Sequence, residues 1–120
     1  RILVVDDEPD IVSMLKMRLE ASGYEVIIAA DGNTAYNKAK SDSPDLIILD
    51  LMLPNMDGYQ VCGLLKKDTR YAKIPIIIFT ARAQKSDQDL GFEVGANAYI
   101  TKPFEAKELL EKIKSLLGGQ

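Results

Sequence analysis

Five polar residues stand where apolar runs end, and their types suit phosphorus chemistry. ILVV at 2–5 runs into Asp6-Asp7, LIIL at 46–49 into Asp50, IIIF at 76–79 into Thr80, and AYI at 98–100 into Thr101, Lys102 and Pro103. If these runs are parallel strands, their carboxyl ends share one edge of one sheet. That edge gathers three carboxylates, a hydroxyl and an ammonium. Two like charges about 4 Å apart repel by about 4 kcal/mol at an effective dielectric of about 20. Three carboxylates therefore call for a compensating charge, and without a cation the cluster is expected to lack one. A hard divalent cation is the natural choice, since Mg2+ takes carboxylates, waters and a phosphate oxygen. A carboxylate beside such a cation can attack phosphorus and form an acyl phosphate. Lys102 can place a point charge on phosphoryl oxygens, and Thr80 can donate a hydroxyl hydrogen bond. Each residue alone has an ordinary reading: Asp6-Asp7 as a helix cap, Asp50 and Thr80 as strand ends, Lys102 as a surface lysine. Their convergence on one edge favours the chemistry.

Composition narrows the field. The 120 residues include no histidine. Ser-His and Cys-His catalysis and histidine metal sites within the chain are thereby excluded. The net charge is −3, which argues against direct nucleic-acid binding, where a basic footprint is needed. The basic cluster Lys66, Lys67, Arg70 and Lys73 is expected to be a solvated helix end. The longest apolar runs, such as 46–49 and 76–79, are far too short to cross a bilayer, and no leader is recognised before the first strand. A single cysteine, Cys62, fits a reducing cytoplasm. It falls on a helix face and is expected to be a small buried apolar residue.

The elements that must position the edge alternate along the chain. Strands are predicted at 2–5, 25–29, 46–49, 76–79 and 98–100, and helices at 9–22, 33–40, 58–67, 84–94 and 105–117. Ile11, Leu15 and Leu19 carry the helical period of the first helix; Leu109, Ile113, Leu116 and Leu117 carry that of the last. Pro9 suits a first turn, Gly23 a left-handed cap, and Gly118-Gly119 a stop. Asp31-Gly32 and Asp57-Gly58 read as turn or N-cap signals. The first, third and fourth strands are unbroken apolar runs, which marks burial on both faces. The expected architecture is one α/β domain over 1–120, a doubly wound five-stranded parallel sheet with helices on both faces. Ligands of such sheets bind beyond the carboxyl ends of the strands.

Four motifs then carry a resemblance: VVDDEP at 4–9, LIILDLMLPNMDG at 46–58, FTA at 79–81 and YITKPF at 99–104. In order and spacing they resemble a response-regulator receiver domain of two-component signalling and phosphorelay, over essentially the whole chain. The resemblance implies the flavodoxin-like strand order 2-1-3-4-5. It implies Asp50 as phosphoacceptor, with Mg2+ as cofactor held by Asp6, Asp7, Asp50 and the backbone carbonyl of Met52. Asp7 would be a direct ligand and Asp6 would act largely through water. Thr80 and Lys102 would bind the phosphoryl group, Thr80 and Tyr99 would form the switch, and Lys102-Pro103 would be cis. Met52 and Arg82 lie two residues after the acceptor and the hydroxyl residue, where they would tune phosphate lifetime.

The absent histidine then means that the phosphodonor arrives on a histidine kinase or a phosphotransfer protein. The output would be a separate protein or a C-terminal effector domain, reached through a surface at 84–117. Receivers joined to winged-helix DNA-binding domains often dimerise there by charge pairs. This chain keeps Glu108 and Lys112 but has Gln88 and Ala98 at the other two positions, so a mostly monomeric domain is expected. It would not be an enzyme beyond its own phosphoryl transfer and dephosphorylation. The alternative is a Mg2+-dependent phosphohydrolase with an aspartate nucleophile. Such enzymes usually place a second acid two residues after the nucleophile, where this chain has Met52. A flavin module of similar topology would need a phosphate-cradling loop after the first strand, and DDEPD would repel a phosphate there.

Overall fold

A computed structural model of the chain describes residues 1–82 and 84–118. Five strands and five helices alternate: β1 Ile2–Val5, α1 Pro9–Ala21, β2 Val26–Ala29, α2 Gly32–Asp42, β3 Leu46–Leu49, α3 Gly58–Lys67, β4 Ile76–Thr80, α4 Lys85–Glu93, β5 Ala98–Thr101 and α5 Ala106–Leu116. The strands form one parallel sheet in the order β2-β1-β3-β4-β5. This is the expected doubly wound topology.

The unbroken apolar strands divide their side chains between two cores. Leu3, Val5, Ile47, Leu49, Ile76 and Ile78 face Ala35 and Ala39 of α2 and Val61, Cys62 and Leu65 of α3. Ile2, Val4, Leu46, Ile48, Ile77 and Phe79 face Leu15 and Leu19 of α1 and Leu109 and Ile113 of α5. Each such side chain contributes about 1.5–3 kcal/mol on burial, so both helical layers are needed to cover the sheet.

Helix boundaries follow local chemistry. Pro9 opens α1 at a first-turn position, where its missing N–H costs nothing. Gly23 takes φ +93° just beyond α1, and Tyr24 N–H returns to the Leu19 carbonyl at 3.1 Å. Asp31 caps α2 through Thr34 N–H. Asp57 and Gln60 form a reciprocal capping box at α3. β4 and β5 each run one residue further than predicted, to Thr80 and Thr101, because these two pair in register and Lys102 N–H donates to the Thr80 carbonyl at 2.8 Å. Gly118 takes φ +106° after α5; Gly119 of the predicted stop lies outside the described residues. No helix among the described residues is long and apolar enough to cross a membrane.

Candidate functional site

The parallel register delivers the strand ends to one edge. Asp50 N–H donates to the Val5 carbonyl at 2.9 Å, and Asp6 N–H to the Ala29 carbonyl at 3.2 Å. These bonds carry the ladder one residue past β1 and β3 and fix both aspartates there. Asp6, Asp7 and Asp50 each offer a carboxylate oxygen, all within 4.8 Å of one another. Asp6 and Asp50 are buried, whereas Asp7 is exposed. Gly58 lets the following loop fold over the edge. A Cβ there would collide with the Asp50 carbonyl and the Leu51 Cα.

Lys102 completes the cluster. Its Nζ donates to Asp6 Oδ2 at 2.8 Å, Asp50 Oδ2 at 3.2 Å and Glu8 Oε1 at 3.3 Å. The Lys102–Pro103 peptide is cis. The expectation that the carboxylates lack a partner charge is therefore corrected: the ammonium lies between them. The second oxygens are also occupied. Asp6 Oδ1 accepts from Glu8 N–H at 2.9 Å, and Asp50 Oδ1 from Met52 N–H at 3.2 Å.

Burial still pushes the Asp6 carboxyl above its usual range, with the Asp50 charge adding to the shift, although Lys102 and the Glu8 N–H oppose it. Burial alone would lower Lys102. The hydrogen bond it donates to Asp6 and the charges of Asp50 and Asp6 outweigh it, so Lys102 moves up. The site thus sets the Lys102 side chain between the Asp6 and Asp50 carboxyls in a partly dry edge. Hard oxygen donors at this spacing suit a small divalent cation.

Thr80 is fully buried at the end of β4, and its Oγ1 accepts from Arg82 N–H at 3.4 Å. Tyr99 packs half-buried against the α2/α3-side core and donates its hydroxyl to the Arg82 carbonyl at 2.6 Å. Its ring is thus already turned toward the protein. The Arg82 guanidinium pairs with Asp87 at 3.1 Å. Met52 is 61% exposed at the rim of the acidic edge.

Sequence reasoning missed three participants. Glu8 adds a third acid on Lys102, and its place directly after the Asp pair was the available signal. Asp87 and Tyr59, which contact Arg82, lie within α4 and α3 and carried no sequence signal of that contact. Lys66 also differs from a solvated charge. Its Nζ donates to the carbonyls of Ala72 at 3.1 Å and Ile74 at 2.8 Å and to Asn97 Oδ1 at 2.9 Å, and burial lowers its pKa. Cys62 is fully buried, as expected.

The model of the response regulator receiver domain matches residues 2–114. The chain is 47% identical over 117 residues to the alkaline phosphatase synthesis transcriptional regulatory protein PhoP of Bacillus subtilis, covering 98% of this chain and 48% of that protein. It is 45% identical, with the same coverage, to the DNA-binding dual master transcriptional regulator RpaA of Synechocystis. The chain thus spans about half the length of these relatives. Among solved structures it is similar to a CheY-like response regulator receiver domain protein from Methanospirillum hungatei, with TM-score 0.92, 35% identity and coverage of 99% and 94% of the two chains. It is also similar to the receiver domain of a Pseudomonas aeruginosa sensor histidine kinase with a magnesium ion coordinated in its active site cleft, with TM-score 0.90, 32% identity and coverage of 98% and 96%.

Proposed function

The chain belongs to the family of response regulator receiver domains, and from its site we propose that phosphorylation of Asp50 switches it between signalling states. One observation carries this reading: a buried carboxylate at the end of β3 shares the Lys102 ammonium with Asp6 and lies beside Asp7. In the transfer, an Asp50 oxygen forms a bond to phosphorus as the P–N bond of a phosphohistidine on the donor protein breaks. The imidazole leaves with the electron pair. Lys102 turns from Asp50 toward the phosphoryl oxygens while Asp6 continues to hold it. The Thr80 hydroxyl donates to the same oxygens.

Asp6, Asp7, Asp50 and the Met52 carbonyl would hold Mg2+, with Asp7 ligating directly and Asp6 largely through water. The magnesium-bound neighbour and the donor set both support this assignment. The bound ion supplies positive charge that offsets the carboxylates and the transferring group. Thr80 and Tyr99 form the switch, and Met52 and Arg82 tune phosphate lifetime at the rim. Residues 1–120 make one receiver domain that catalyses only its own phosphorylation and dephosphorylation. The phosphohydrolase reading is disfavoured because Met52 stands where a second acid would act.

A histidine kinase or phosphotransfer protein is the donor, and the output is a partner protein or a C-terminal effector domain, in the cytoplasm. The transcriptional relatives support the effector reading. Intact-mass spectrometry after a small phosphoramidate donor tests the acceptor: parent protein gains one phosphoryl group only with Mg2+, and Asp50→Asn gains none. Equal labelling of the variant would move the acceptor elsewhere.

A further inference from the structure

Arg82 lies two residues beyond Thr80 and contacts four elements at once. Its N–H meets Thr80 Oγ1 at 3.4 Å, and its carbonyl accepts from the Tyr99 hydroxyl of β5 at 2.6 Å. Its guanidinium pairs with Asp87 of α4 at 3.1 Å, and its Cζ lies 6.0 Å from the centre of the Tyr59 ring of α3. Tyr59 closes the strap by donating its hydroxyl to the Asp87 carbonyl at 3.0 Å. The Asp87 side chain is only 13% exposed, so its ion pair is screened less than a surface pair.

The Tyr99 anchor has its own support. Gly91 is buried within α4, where glycine costs about 1 kcal/mol relative to alanine. A Cβ at that position would come within 2.8 Å of Ile78 Cδ1 and 3.1 Å of Tyr99 Cδ2. The missing side chain makes room for the inward ring, whose hydroxyl then reaches Arg82.

We infer that Asp87 and Tyr59 are positioning residues for the Thr80 hydroxyl, acting through Arg82. The inference rests on the reading of Asp50 as phosphoacceptor. Thr80 Oγ1 accepts from Arg82 N–H, so its own hydroxyl hydrogen stays available for donation. A small rotation of the 80–82 backbone would turn that hydrogen aside. The strap of one ion pair and two tyrosine hydroxyl bonds ties this backbone to α3, α4 and β5. A ligand that needs the hydroxyl then meets a donor already in place, and binding avoids the cost of ordering it.

Titration calorimetry with beryllofluoride and saturating Mg2+ tests this on the whole chain. Asp87→Asn should weaken binding about fivefold, equivalent to ~1 kcal/mol, and Tyr59→Phe about threefold. In an Arg82→Ala background neither substitution should add a further loss. Mg2+ affinity, measured alone, should not change. A purely structural role would lower melting temperatures and leave the beryllofluoride Kd where it is. Binding by Asp87→Asn within about twofold of the parent, or losses that multiply with Arg82→Ala, would overturn the inference. A parent that takes up neither phosphoryl nor beryllofluoride would reject the acceptor reading itself; normal uptake with an unaffected Asp87→Asn would reject only the strap.

Discussion

Lys102 Nζ lies nearer to Asp6 Oδ2, at 2.8 Å, than to Asp50 Oδ2, at 3.2 Å. On the proposed reading, the ammonium would release Asp50 and stay anchored on Asp6. One lysine thus bridges two carboxylates of the cluster.

Lys102→Met keeps the side-chain bulk but strands two buried carboxylates. Removing one partner of a buried pair typically costs about 3–5 kcal/mol. Urea unfolding in chelator should show a loss of that order, partly recovered by adding Asp6→Asn. A loss below about 1 kcal/mol would mean that water, rather than Lys102, satisfies these carboxylates.

Asp7 is exposed and has no described hydrogen bond or ion pair. Mg2+ at about 100 times its Kd should stabilise the parent by about 2.7 kcal/mol through mass action on the folded state. Asp7→Asn should lose most of that increment, yet melt no lower than the parent in chelator, because a like charge has been removed from the cluster. A lower melting temperature in chelator would assign Asp7 a structural bond instead.

Burial pushes the Cys62 thiol from its ordinary 9.0 up to about 11, against the opposing charge of Lys66. An acid with a raised folded pKa favours the folded state while it keeps its proton. Its contribution is intact below pH 9.0 and declines as pH climbs toward about 11, where the unfolded thiol ionises first. The decline amounts to about 1.4 kcal/mol per pH unit across that window. The stability difference between parent and Cys62→Ala should therefore shrink as pH rises through it. Parallel stability curves for the two proteins would contradict the buried-thiol account.

Ala98 stands at one of the positions where charge-paired receiver dimers carry an acid, and here it is buried in the core facing α1 and α5. Glu108 and Lys112 remain exposed on α5. Exposed ion pairs give about 0–1 kcal/mol each, so half a set does little to fix a dimer. Sedimentation with beryllofluoride at micromolar concentration should show monomer. An activation-dependent dimer through 84–117 would show that apolar contacts suffice.

The strand ends and the Asp31 and Asp57 caps were legible in the sequence because each depends on neighbours within one turn or one strand. An unbroken ILVV or LIIL has few alternatives to a doubly buried strand, and the parallel sheet then places Asp6, Asp50, Thr80 and Lys102 together. Partnerships across the fold were not legible. Lys102 reaches Asp6 across 96 positions, Lys66 turns inward onto three oxygens, and Arg82 turns to Asp87 and Tyr59. A long charged side chain can follow several rotamers at small cost, and only the packed surroundings decide which carboxylate or carbonyl lies at its end. Periodicity and capping assign a residue to an element and a face; the choice of partner is made by the tertiary structure, where burial raises the cost of every charge left alone.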